Sequence, residues 1–498
     1  MKKFFAVVLS IIMVASMGIT SFAAETDYAI SNPYADVDWG TFSAYKTDLH
    51  SHTNASDGDN TTKEMAERHY ELGFDIYAQS DHGTTNYSWT EKDSYDPAVK
   101  FIMMFKEGIS PLEMLDKEGT AENGNTYTVT TVDGDDYYAQ ANGHSMMRVP
   151  FANEQNPTSF NNAHVNTWFV DWGHGRIGGT SDYETVISAI DELGGVSVIN
   201  HPGEYTNARD VLTTEEAYND DDFGYYIDKF ENLLMNYDSC LGIDINSKGD
   251  SRTRFDRKLW DTMLTDLAPL GRNVFAIAST DAHNLDIVDS GYVMAMMPEL
   301  TSDALKECLL SGAFFAQSCY CGNTDELLAY SAALIASGDA TAVALGEKMK
   351  ETAENNLAEI ANGNKGGQYR FAEGATCVTV NEITVDDAED SITIDADDAL
   401  YIRWISDNGT VVAEGNSIDL DECENIGSYV RAEIISEGAV TYTQAFLLNY
   451  DGMPEADYNE NFKDTDTFIF AGIDEFLRAL GKIVAVIAQP ILKMFGIA

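Results

Sequence analysis

Across residues 47–318, short β-rich stretches alternate with helical patterns. "FDIYAQSD", "VKFIMMFKEG", "GVSVINH", "LGIDINS" and "NVFAIASTD" read as strands. "NTTKEMAERHYELG", "SDYETVISAIDELGG" and "FDRKLWDTMLTDLAPLG" read as helices that stop at glycine, the first capped by threonine. Such alternation calls for parallel strands, in an open sheet or a barrel. In both architectures functional side chains collect at the C-terminal ends of the strands.

Those ends carry histidine. In "DLHSHTNASDG", His50 and His52 are two residues apart, so a strand presents both on one face. His82 follows "IYAQSD", His201 ends "VSVINH", and His283 follows Asp281 in "STDAH". One such histidine suits a satisfied polar residue as well as a ligand. With only nine histidines in the chain, this many at strand ends points to a metal site on one rim. His69 falls on the polar face of its helix and reads as solvated. No nucleophile elbow, P-loop or dinucleotide glycine fingerprint is present, and "GTSDY" reads as a helix start capped by Ser181 or Asp182.

The charge balance narrows the partners. The chain has 82 acidic against 30 basic residues, a net charge of −52. That surface argues against duplex nucleic acid held through phosphates, and against anionic lipid at large. An anionic substrate would need a local positive centre, which bound cations supply. The first residues, with Lys2, Lys3, an apolar run over 4–17 and "SFAAE", read as a signal peptide (1–23) cut near Ala23, implying a secreted protein. The six scattered cysteines, including the Cys319/Cys321 pair, do not have zinc-ribbon spacing and read mostly as buried thiols.

"DLHSHTNASDG", "SDH", "FKEG", "NGHSMM", "INHPGE" and "STDAHN", in this order, resemble the motifs of the PHP (polymerase and histidinol phosphatase) superfamily over about 45–318. The resemblance implies a distorted (β/α)7 barrel holding two or three divalent transition metal ions (Mn, Zn or Fe). It also implies a phosphoesterase acting on a small phosphorylated substrate. Carried over by motif, His50, His52 and Asp281 would hold one ion, with Glu107 bridging to a second completed by His144 and His201. Asp57, His82 and His283 would form the third site. An aspartate at 57, where some members have histidine, hardens that site toward manganese or iron. Glu107, Asp281 and His283 would stand at the reacting centre. His164 and His174 compete with His144, and Glu113 with Glu107. Arg148 and Arg176 are candidates to grip the substrate phosphate, or to pair with the abundant carboxylates. Hydrolysis of a non-phosphate ester or amide, or a purely binding role, are the competing functions.

The rest of the chain changes character. Residues 108–172 form a long polar insertion that reads as loops or a small cap over the barrel, within a domain spanning 45–322. Residues 325–362 are Ala-rich and helical, and "GNKGG" is a linker. Residues 370–450 contain alternating strands without a histidine, expected to form an independent immunoglobulin-like sandwich dispensable for chemistry. In the tail, 466–498, Ile469, Ile473, Phe476, Leu480, Ile483 and Ile487 share one helical face. That helix is expected to dock on a membrane surface or mediate self-association.

Overall fold

The computed structural model describes residues 26–91, 95–155, 163–175, 182–204, 206, 212–214, 216, 221–245, 252–464 and 473–497. The expected signal peptide and Arg176 lie outside the described residues.

The chain forms an α/β structure with mixed sheets. The strand that carries the first motif, Ser43–Asp48, runs parallel to Ile76–Tyr77 and antiparallel to Gly291–Met297. Ile76–Tyr77 in turn runs parallel to Ser145–Arg148. These belong to a 14-stranded sheet. A separate five-stranded sheet holds Asn153–Gln155, Val165–Trp168, Val196–Ile199, Cys240–Asp244 and Phe275–Ile277, of which the last three are parallel, as the alternation predicts. Strand Cys240–Asp244 is buried throughout. At Gly242 a β-carbon would collide with the Phe275 backbone, so glycine sets how closely these two strands approach.

The two sheets meet at strand ends through isolated bridges, Ser51 to Ala282 and His82 to Glu154. Among the described residues no continuous ladder closes them into the expected barrel. The insertion is not a cap. Its strands Thr126–Val132 and Asp135–Gln140 extend the large sheet beside Ser145–Arg148. Its later strands, Asn153–Gln155 and Val165–Trp168, supply one side of the second sheet.

Helix Thr62–Glu71 starts with a Thr61/Glu64 capping box, and Tyr183–Glu192 is capped by Asp182. "VKFIMMFKEG" is a helix rather than a strand. Asp96 caps it, Pro97 occupies its first turn, and Pro97–Glu107 follows. The Ala-rich segment forms the expected helices, Thr324–Ser337 and Ala340–Ala361, turned by left-handed Gly338.

Thr379–Asp386, Ser391–Asp397 and Ser417–Asp419 form a three-stranded sheet of their own, but the other C-terminal strands join the rest of the chain rather than an independent immunoglobulin-like sandwich. Val440–Tyr442 pairs with Phe314–Ser318, and Phe446–Asn449 pairs with Ala29–Ser31, inside the large sheet. The Gln444 side chain bonds both backbone groups of Ala276 in the second sheet. Buried ions tie the parts together. Arg431 donates to both oxygens of Asp261 on helix Asp256–Leu267, at 2.8 and 2.9 Å, and to Glu433 at 2.8 Å. Glu433 also receives Arg403 at 2.6 Å and the Tyr330 hydroxyl at 2.7 Å.

Removing one member of a fully buried ion network leaves charges without partners, at a cost of ~3–5 kcal/mol. Arg431→Met is therefore expected to lower unfolding stability by about that amount in a denaturant titration. A chain ending near Asn323 is expected to lose cooperative unfolding altogether. A truncated chain that melted cooperatively and kept its metal would show that the C-terminal strands form an independent unit.

Candidate metal centre

Most converging ligands sit beside a strand or on one, and Asp57 lies on the loop after His52. His50 and His52 follow Ser43–Asp48, and His82 follows Ile76–Tyr77. Glu154 lies on Asn153–Gln155, and His164 directly precedes Val165–Trp168. His201 follows Val196–Ile199, while Asp281 and His283 follow Phe275–Ile277. Buried polar contacts hold these turns. Asp48 accepts from the His50 backbone at 3.1 Å, from the Thr280 hydroxyl at 2.7 Å, and contacts His69 Nε2 at 2.9 Å. His69 is thus fully buried and stacked on Tyr77, not solvated. Asp81 accepts from Thr53, Ser56 and Gln79, which shapes the loop that carries Asp57. His201 and Asp281 adopt positive φ, 27° and 45°, a strained backbone of the kind retained at functional sites.

The spacing is that of ligands around ions. His50 Nε2 and His52 Nε2 are 3.1 Å apart. Both lie near Glu154 Oε2, at 3.4 and 3.2 Å, and near Asp281 Oδ1, at 3.3 and 3.0 Å. Ligand atoms ~2.1 Å from one ion stand ~3.0 Å apart at octahedral and ~3.4 Å apart at tetrahedral angles. The observed edges span that interval. Glu154 Oε2 also has His82 Nδ1 at 3.1 Å, yet no hydrogen bond reaches this buried oxygen. Its other oxygen meets His164 Nδ1 at 3.0 Å and His201 Nε2 at 3.3 Å, and accepts from Asn200 at 2.7 Å. A third focus forms where Asp57 faces His52, His82 and His283 at 3.5–3.7 Å.

Three overlapping groups can each hold a divalent ion: His52/Asp57/His82/His283, His50/Glu154/His201/Asp281, and His82/Glu154/His164. The electrostatics suit cations. Burial works to raise the Glu154 carboxyl, but His50, His164 and His82 outweigh it and hold the group well below the usual carboxylate range. Asp57 behaves likewise, with burial outweighed by His82 and His283. Burial pushes His82 well below its ordinary value, leaving the neutral imidazole that a metal requires.

Of the residues expected from sequence, His50, His52, Asp57, His82, His201, Asp281 and His283 come together. Glu107 and His144 join none of these groups. Glu107 ends an exposed helix turn and pairs with Lys106 at 3.0 Å. His144 is exposed at a hairpin end, stacked on Tyr70 with ring centroids 4.1 Å apart. Glu154 and His164 stand in the cluster instead. His164 was legible as a competitor; Glu154 was hidden because its segment read as loop. His174 sits apart, accepting from the Thr85 backbone. Arg148 is buried, donating to Asp136 at 2.9 Å and to the Asn86 carbonyl at 2.8 Å, so it builds structure rather than facing the cluster. Glu113 pairs with Lys63.

No protein-family model matches the chain, and no curated protein matches it. Solved structures give distant likenesses. A two-domain protein from Bacteroides vulgatus ATCC 8482, containing a predicted PHP-like metal-dependent phosphoesterase, is 13% identical with a TM-score of 0.34, over 83% of this chain and 88% of that one. PsfC from Pseudomonas syringae PB-5123 is 13% identical with a TM-score of 0.29, over 54% and 88%. The lesion-specific endonuclease PfuEndoQ from Pyrococcus furiosus is 11% identical with a TM-score of 0.30, over 53% and 55%. Likeness at this level is too distant to assign a role.

Glu154 touches two of the three groups, so Glu154→Gln is expected to strip at least one equivalent of metal, measured by elemental analysis of the purified chain. Glu107→Gln is expected to keep the full complement. The reverse pattern would return the bridging role to Glu107.

Proposed function

We propose that this chain is a metal-dependent hydrolase of the PHP type that cleaves phosphate mono- or diesters of small substrates. The observation that carries the reading is the buried box of His50, His52, Glu154 and Asp281, with edges of 3.0–3.4 Å. It shares His52 with the group of Asp57, His82 and His283, and Glu154 with the group of His82 and His164. The donor set, imidazole with a minority of carboxylate, suits Mn, Zn or Fe. Two or three such ions, when bound, supply an activated water and positive charge for phosphoryl oxygens.

The chain's own residues set the terms around them. Glu154 and Asp281 are almost wholly buried, so they offset cationic charge where water cannot. His283 is the open edge, with its side chain about one third exposed beside Asp57. A substrate would enter there. Lys106, exposed and 3.4 Å from Asp57, is positioned to meet the substrate phosphate, a role that Arg148 cannot take while paired with Asp136. The strongly acidic surface otherwise repels anions, which disfavours duplex nucleic acid and leaves small phosphate esters. Export through the N-terminal segment belongs to the same proposal, and the mature terminus is expected at Ala24.

Chelation is expected to abolish hydrolysis of p-nitrophenyl phosphate or its diester by the purified chain, and Mn²⁺ or Zn²⁺ to restore it. Oxygen from labelled water should enter the released phosphate without a phosphoenzyme. Lys106→Met should raise KM about tenfold while changing kcat less. Chelator-resistant turnover would overturn the metal mechanism. Cleavage of carboxylic esters or amides with no action on phosphate esters would leave the metal centre standing and change the substrate.

A further inference from the structure

The C-terminal helix Ile473–Met494 has two apolar faces, and among the described residues one of them is packed against the rest of the chain. Leu480, Val484 and Ala485 pack on Ala98, Val99 and Met103 of helix Pro97–Glu107. Ala488, Leu492 and Ile497 pack with Ala55, Tyr95 and Leu112. Tyr95 donates to Gln489 at 3.2 Å, and the Leu112 amide to the Ile497 carbonyl at 3.3 Å. Of the residues expected on one stripe, Leu480 therefore turns inward. Ile483 and Ile487 turn outward, and Ile469 lies outside the described residues.

The outward face is large and apolar. Phe476, Ile483, Val486, Ile487 and Met494 are 56–75% exposed. At 3.6 residues per turn, Phe476, Ile483, Ile487 and Met494 fall on one line, with exposed Lys482 and Lys493 along its flank. Phe105 and Ile109, at the end of the neighbouring helix, are also exposed. No helix of the described residues is long and apolar enough to cross a membrane.

Charge selects the occupant. Asp474 and Glu475 stand in the first turn of the helix, and the stretch after them, residues 476–498, holds three basic residues and no acidic one in a chain with 82 acidic residues. A cationic flank beside an apolar line is the pattern of a helix lying in a lipid interface. The net charge of −52 acts at long range, but at physiological ionic strength screening cuts in at about 8 Å, so the local lysines govern contact. We propose that this outward face seats the protein on an anionic lipid surface.

The test is sedimentation of the full chain with vesicles of phosphatidylcholine alone and of phosphatidylcholine mixed with phosphatidylglycerol. Binding is expected to the mixed vesicles and to weaken with salt. Ile483→Asp and Val486→Asp should each reduce partitioning by about tenfold or more. Lys482→Glu should remove the preference for phosphatidylglycerol. Unchanged metal content in each variant shows that its fold is kept, whether or not the phosphoesterase reading holds. Wild-type protein that ignores both vesicles, or Ile483→Asp binding like wild type, would overturn the proposal. So would a solution dimer that Ile483→Asp dissociates in protein that does not bind vesicles, which would assign the face to a second copy.

Discussion

A carboxylate buried among imidazoles is the constraint around which the rest is arranged. Glu154 is inaccessible to solvent and faces His50, His52, His82, His164 and His201 within 3.4 Å. Burying such a charge costs several kcal/mol unless cations or donors answer it. One donor, Asn200, fixes the position of the side chain. The remaining lone pairs point at ring nitrogens that can share ions with it. The fold must therefore bring five separate strand ends to one place. It does so with isolated bridges rather than long ladders at the join, and with positive φ at His201 and Asp281. Each strained residue costs of order 1–3 kcal/mol, stability given up for ligand placement.

Much of the centre was visible in the linear chain because strand ends are a local signal. A β-rich run that stops at histidine places that histidine on the rim whatever the partner strand. His50, His52, His82, His201 and His283 were legible for this reason. Glu107 misled because an apolar run of ten residues suits strand and helix alike. The Asp96–Pro97 start, which caps a helix and sets its first turn, was the cue that decides between them. Glu154 had no such cue. It sits in "NEQN", polar on both sides, and is buried because of strands paired from elsewhere. His69 was misplaced for a related reason: its partner Asp48 is remote in the helix pattern but adjacent in space.

The C-terminal strands show a different limit. Alternation of period two reports that a segment is a strand with one buried face, not which sheet it joins. Residues 370–450 carry that alternation and were read as a separate sandwich. What attaches them to the rest is a set of buried polar residues, Arg403, Arg431, Glu433 and Gln444. In a linear reading these look like surface residues of an acidic protein. Only when Asp261 and Tyr330 come up against them does their burial make physical sense.

Helix Pro97–Glu107 lies between the Asp57 loop and the C-terminal helix. On its inner side Lys100 reaches the Asn54 carbonyl in the loop that carries Asp57, with its amine pushed down to about 8 by burial. Lys106, one turn and a half further, reaches Asp57 itself. On its outer side the same helix receives Leu480 and Val484 of the C-terminal helix. An element that grips a ligand-bearing loop with two lysines and also seats an amphipathic helix cannot shift without moving both. Loop and tail therefore pack against the same helix. Glu107 joins none of the three ligand groups, yet its helix packs beside the open edge of the candidate metal centre through Lys100 and Lys106.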